Sequence, residues 1–240
     1  VTTMLQRDAR RFYKKVETRE GPAGWQVLLD GRLLRTPAKT SFFLPSGALA
    51  AAIAEEWEAQ EKKLDASSMP LTSLAFSALD LVKPQREQVV EELSDYAGTD
   101  LLCYRAAHPA ALVERQHATW QPLLDWASLS LDAPLSVTEG IAALEQPAAS
   151  LAALRRAVES HEDFALTALA LAVRTSGSLV IGLAMSHGRL DATAAFEAAE
   201  LEQTYELEVW GADAEAEVRR QDLLEELALC ERFLSLLREG

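Results

Sequence analysis

Leu201-Glu202-Gln203-Thr204-Tyr205-Glu206-Leu207-Glu208-Val209-Trp210-Gly211 is the densest run of unusual residue choices in the chain, and it reads as the end of a central helix. At about 100° per residue, Ala194, Ala198, Leu201, Tyr205 and Val209 share one stripe, while Phe196, Leu207 and Trp210 fall nearly opposite. A helix lying on a surface needs one apolar face, so apolar residues on two sides predict an element packed between others. Asp191 is the expected N-cap, because its side-chain oxygen can accept from the free amides of the first turn. Gly211 is the expected stop, since glycine takes left-handed backbone without a Cβ clash.

Between the stripes lie two acidic edges, Glu197, Glu200 and Glu208 on one and Glu202 with Glu206 on the other. In so acidic a chain the plain reading of any one of these is a solvated helix edge. Glu202 differs in its position. It borders the apolar stripe beside Leu201 and Tyr205, where a carboxylate is either half-solvated or paired with a cation.

The pattern Leu201-Glu202-x-x-Tyr205-x-x-x-x-Trp210-Gly211 resembles the C-terminal signature of the chaperones that assemble the catalytic head of F-type ATP synthase by holding its alpha subunit. Arg11-Phe12-Tyr13-Lys14, followed by Leu28-Leu29-Asp30-Gly31-Arg32 and Leu34-Arg35-Thr36-Pro37, is similar to that family's opening block. Glu55-Glu56-Trp57-Glu58-Ala59-Gln60 and Met69-Pro70-Leu71-Thr72 follow in the same order, so the resemblance runs from residue 11 to residue 211. Thr204 departs from the more acidic run expected between Glu202 and Tyr205. The resemblance implies a chaperone that engages the newly made alpha subunit, shields the surface meant for its partner subunits and releases it during assembly without hydrolysing nucleotide. It also implies client-binding roles for Glu202, Tyr205, Glu206 and Trp210, and a monomeric state. Its expected location is cytoplasmic in a bacterium, or the mitochondrial matrix for a processed eukaryotic form.

The rest of the chain bounds this reading. At 240 residues it is long for one core and comfortable for two, and with 49% hydrophobic residues it has ample material for both. Cys103 and Cys230 lie far apart, without metal-like spacing, and read as core thiols in a reducing compartment. The first seven residues show no apolar core with a cleavage site, and the apolar region Phe164 to Met185 is interrupted by Arg174 and Gly177, so neither a signal peptide nor a membrane span is expected. Residues 1–40 hold nine Lys/Arg against four Asp/Glu, whereas residues 191–240 hold four against fourteen. A net charge of −14 argues against nucleic acid, whose phosphates need a basic footprint. The basic N-terminal patch is a minor feature in that respect.

The expected fold class is α+β, a small N-terminal antiparallel β domain over residues 1–68 followed by a larger irregular α-helical domain over residues 69–240. Phe12, Lys14, Val16 and then Trp25, Val27, Leu29 alternate as half-buried strands around the loop Gly21-Pro22-Ala23-Gly24. Asp30-Gly31 is a two-residue hairpin signal, and Ser41 to Leu44 makes another short strand. An exposed edge of this sheet would suit pairing with a client strand. From Ser46 a helix begins with Leu49, Ile53 and Trp57 facing inward, and the charged, serine-rich run to Ser68 reads as a linker. Helices are then expected over Pro70–Leu81, Pro84–Tyr96, Ala110–Leu131, Pro147–Ser160, Asp163–Val173, Ser178–Ser186, Asp191–Trp210 and Asp213–Arg238, with Asp100–Arg105 as an isolated strand. The last helix, striped with Ala216, Leu223, Leu227, Cys230, Leu234 and Leu237, is expected along the central one.

Catalytic chemistry is not legible. Ala38-Lys39-Thr40 has Leu33 where a phosphate loop needs glycine, no Gly-x-Ser-x-Gly occurs, and Thr175-Ser176-Gly177-Ser178 reads as a turn. His108, His117, His161 and His187 have no second ligand at metal spacing, and His161-Glu162-Asp163 reads as a helix start. No catalytic residue, metal or cofactor is therefore expected. A small enzyme with an unrecognised active site is the alternative, to be told apart by a deep pocket of converging polar groups rather than an apolar groove with an acidic rim.

Overall fold

The computed structural model describes residues 10–140, 144–211 and 214–239, apart from the side chain of Ala214. The chain forms two compact units. One runs through Arg86 and also contains Asp163–Ala168 and the stretch from Arg232, and the other comprises Glu87–Glu162 and Leu169–Glu231. This grouping differs from a division at residue 68.

In the first unit β1 (Val16–Gly21) and β2 (Gly24–Leu29) form an antiparallel hairpin in the register Val16↔Leu29 to Gly21↔Gly24. Asp30 and Gly31, with φ of 49° and 77°, supply the paired left-handed residues that turn β2 into β3 (Arg32–Leu33). β4 (Phe43–Leu44) pairs with Trp25 and Gln26, so β2 is the central strand. The expected strand start at Phe12 is corrected to Val16. The Asp30 carboxylate accepts the backbone N–H of Lys14 at 3.0 Å and of Lys15 at 2.9 Å, which diverts those amides from a ladder.

α1 (Gly47–Glu58) is capped by Ser46, whose Oγ accepts from Leu49 N at 3.1 Å, and it buries Leu49, Ile53 and Trp57. α2 (Pro70–Ser77) carries Pro at its first turn but no cap of its own. Glu56 of α1 takes that role from outside. Its carboxylate accepts the N–H groups of Leu71 and Thr72, each at 2.8 Å. Phe76 then meets Phe42 edge-on at 4.9 Å, which explains why α2 groups with the sheet.

The second unit is mainly helical. It contains α3 (Arg86–Asp95) from Glu87 on, α4 (Ala110–Leu131), α5 (Ala148–Glu159), the later part of α6 (Asp163–Ser176), α7 (Leu179–Ser186), α8 (Ala192–Ala199), α9 (Leu201–Trp210) and most of α10 (Ala214–Arg238). Asp213, the expected start of the last helix, lies outside the described residues. The expected strand over Asp100–Arg105 is corrected. Leu101–Cys103 is a tight helical turn capped by Asp100, and only Tyr104–Arg105 (β5) is extended, pairing in parallel with Thr138–Glu139 (β6). Asp100 is fully buried and accepts from Ser178 Oγ at 2.7 Å and Val180 N at 3.1 Å, which ties this turn to the start of α7. Gly177 in left-handed backbone and the Ser178 cap form the expected turn between α6 and α7. Both cysteines are buried free thiols. Among the described residues, no helix is long and apolar enough to cross a membrane.

The continuous central helix is also corrected. Asp191 caps as expected, accepting from Ala194 N at 2.7 Å, but the helix breaks at Glu200 (φ −100°, ψ 18°). Trp120 of α4 donates its indole N–H to Ala198 O at 2.8 Å, the carbonyl that a continuous helix pairs with Glu202 N–H. Glu200 itself is held by Arg220 of α10 at 3.0 Å. The buried stripe of Ala195, Ala198 and Leu201 ends at the break, and the two-sided burial predicted for the helix does not reach its end.

Candidate docking face on α9

α9 lies on α4, and Gln116 and Arg115 of α4 fix how. Gln116 of α4 is buried and donates Nε2–H to Glu202 Oε1, while its own Oε1 accepts from Ala106 N at 2.8 Å. Arg105, also buried, donates to Leu102 O at 2.7 Å and Gln116 O at 3.1 Å and sits over the Trp120 ring, 5.2 Å from its centroid. Arg115, one residue before Gln116, pairs with Glu208 at 2.7 Å and lies 5.3 Å from the centre of the Tyr205 ring. One turn of α4 thus holds Glu202, Tyr205 and Glu208 of α9 in a fixed pose.

The surface of α9 left uncovered faces solvent: Glu202 stands at its margin with α4 and Glu206 one turn further on, with Val209 53% exposed and Trp210 85% exposed where the helix ends at Gly211. Partial burial pushes the Glu202 carboxyl above the usual range, the charge of Glu206 adds to that, and the Gln116 hydrogen bond opposes both. Of the residues singled out in the sequence, Glu202, Glu206 and Trp210 come together on this exposed face. Tyr205 is half-buried and turned to Arg115. Arg115 and Gln116 were missed because their roles come from contact with α9, and Arg105 because it acts on Gln116 and Trp120 of α4; none leaves a local pattern.

The arrangement offers carboxylates and an exposed indole rather than a nucleophile beside a base. Among the described residues, no three His, Cys, Asp or Glu side chains gather where they could hold a metal ion. Large exposed apolar residues rimmed by charge mark surfaces that recognise other proteins. An exposed face of this kind is that of a protein-binding class.

Comparison with known proteins places the chain within that class. The family model described as ATP12 chaperone protein matches residues 10–128. The chain is 46% identical to Atp12 of Paracoccus denitrificans, whose crystal structure it matches with a TM-score of 0.93 over 96% of this chain and 99% of that one. A crystallised protein of Agrobacterium tumefaciens is 34% identical, with a TM-score of 0.88 over 97% of this chain and 86% of that one. The mitochondrial protein atp12 of Schizosaccharomyces pombe is 28% identical over 232 residues, 91% of this chain and 80% of its own length. The chain belongs to the ATP12 chaperone family, and the resemblance carried by its four sequence blocks is borne out.

Proposed function

We propose that this chaperone binds the newly made alpha subunit of F-type ATP synthase and keeps it from aggregating until its partner subunits arrive. It does so as a monomer and without nucleotide hydrolysis. It works in the bacterial cytoplasm, or in the mitochondrial matrix for a processed eukaryotic form. The observation that carries the reading is Trp210, 85% exposed at the end of an acidic helix that its own unit holds rigidly from behind. An exposed tryptophan contributes most when a partner buries it, and the carboxylates of Glu202 and Glu206 beside it select a client surface bearing Lys or Arg. Tyr205 supports the face by fixing the pose of Arg115. Retention of the chain on immobilised alpha subunit tests the proposal. Trp210→Ala should weaken retention by about tenfold or more while leaving the circular dichroism spectrum unchanged. Undiminished retention would remove α9 from the client contact.

A further inference from the structure

We infer that the sheet-containing unit carries a second docking site, a cavity that takes an extended apolar peptide segment bearing carboxylates. The cavity measures about 970 Å³, within the size range of binding sites for compact ligands, and Leu33, Trp57 and Phe76 form its apolar wall. Phe12, which also lines it, is 70% exposed.

The polar groups around this cavity determine what fits. The Asp30 carboxylate receives the amides of Lys14 and Lys15, and Thr36 Oγ donates to Asp80 at 2.7 Å and accepts from Thr40 N at 3.0 Å. Two cationic donors at the cavity are left without a counter-charge among the described residues. Arg32 and Arg35 are exposed and, among the described residues, neither has an ion-pair partner; Arg35 reaches the Lys39 carbonyl at 3.4 Å. Two guanidinium groups without ion-pair partners at an apolar cavity attract carboxylates. An occupant must therefore bring apolar side chains for the wall and negative charge for the rim. A peptide segment with large apolar residues between acidic ones has both.

This charge preference is opposite to that of α9, so the two faces recognise different features of a client. The inference does not depend on α9 being a docking face. Fluorescence anisotropy of the full chain with fluorescein-labelled acetyl-Glu-Leu-Phe-Leu-Glu-amide, set against acetyl-Lys-Leu-Phe-Leu-Lys-amide, tests it. The acidic peptide should bind at least about tenfold more tightly at low salt, with the gap narrowing as salt rises. The double variant Arg32→Glu/Arg35→Glu, at two exposed positions, should reverse the preference. Trp210→Ala and Glu202→Gln should bind the peptide as the natural chain does. Equal affinity for the two peptides overturns the inference, as does a double variant that binds unchanged. Loss of peptide binding in Trp210→Ala would move the peptide to α9 and overturn it too. So would self-association that the double variant abolishes, which assigns the cavity to a second copy of the chain.

Discussion

The Glu202 carboxylate on α9 accepts a hydrogen bond from Gln116, a buried side chain of α4 that also receives an N–H from the backbone of Ala106. Glu202 is therefore tethered from behind while its residue faces solvent. Its raised pKa means that the folded chain holds this proton to higher pH than the unfolded chain does. Its contribution to stability is thus fully favourable below the unfolded pKa and is lost as pH rises through the folded one. At neutral pH the charge is mildly unfavourable, and Glu202→Gln removes it while keeping an oxygen for Gln116. The expected outcome is a melting curve shifted by less than about 1 kcal/mol, with capture of the alpha subunit clearly weakened and more so at low salt. Glu206→Gln, at a residue without such a tether among the described residues, should weaken capture less. Thermal unfolding beside client pull-down separates the roles, because a large stability loss with normal capture would make Glu202 scaffold.

Asp100 is a stronger determinant of the fold. Its carboxylate is buried and accepts from Leu102 N, Ser178 Oγ and Val180 N, so Asp100→Ala leaves several donors unpaired. A loss of about 3–5 kcal/mol in urea unfolding is expected, at about 1–3 kcal/mol for each buried group left unsatisfied. Burial pushes its pKa up, against the hydrogen bonds that lower it. The folded chain then retains the proton above the unfolded pKa, and stability from this group falls as pH rises through that window. The advantage of the natural chain over Asp100→Asn should accordingly shrink from pH 4 upward. An advantage that grows with pH would mean the hydrogen bonds outweigh burial.

Elements set by neighbours in sequence were legible, and those set by distant contacts were not. Leu49, Ile53 and Trp57 announce α1 by period alone, and Asp30-Gly31 and Gly177-Ser178 mark turns because so few residues tolerate those backbones. The break at Glu200 could not be read, since it goes with the Trp120 indole bonding the Ala198 carbonyl, 78 residues from it in the chain. The same holds for Glu56, whose role as the cap of α2 depends on two helices meeting. At the candidate docking face, the spacing of Glu202 and Glu206 predicted their shared side of the helix. The support of α9 by Arg115 and Gln116 carries no motif. Trp210 was read as part of an apolar stripe, and its exposure follows from α9 ending beyond the cover of its neighbours.

Gly182 sits in α7 where a Cβ would lie 2.5 Å from Val173 Cγ2 and 3.2 Å from Leu169 Cδ1 of α6. Helix propensity alone favours alanine there by about 1 kcal/mol, but the close approach of the two helices outweighs it. Gly182→Ala is expected to destabilise the chain by about 1–3 kcal/mol through overpacking. Val173→Ala in the same chain should recover part of the loss. A stabilised Gly182→Ala would show that α6 and α7 separate at little cost.

Removal of residues 1–66 tests how self-sufficient the helical part is. We propose that it retains its own core, because Trp120, Leu102 and Ile181 are fully buried and the Asp100–Ser178 bond lies within it. The deletion takes away Glu56, which caps α2, and Phe42, which packs on Phe76. Met69, Leu71, Leu74 and Phe76, all buried in the intact chain, would lose partners they had in the sheet-containing unit. Uncovering a buried phenylalanine alone removes about as much stability as a Phe→Ala change, about 3–5 kcal/mol. The shortened chain should therefore keep its helical circular dichroism and melt cooperatively, with a midpoint lowered by more than about 10 °C and with new binding of an apolar dye. A chain begun at Glu87, which lacks the apolar face of α2 as well, should bind less dye than the one begun at residue 67. Loss of helical signal in both would mean that the two units cannot fold apart.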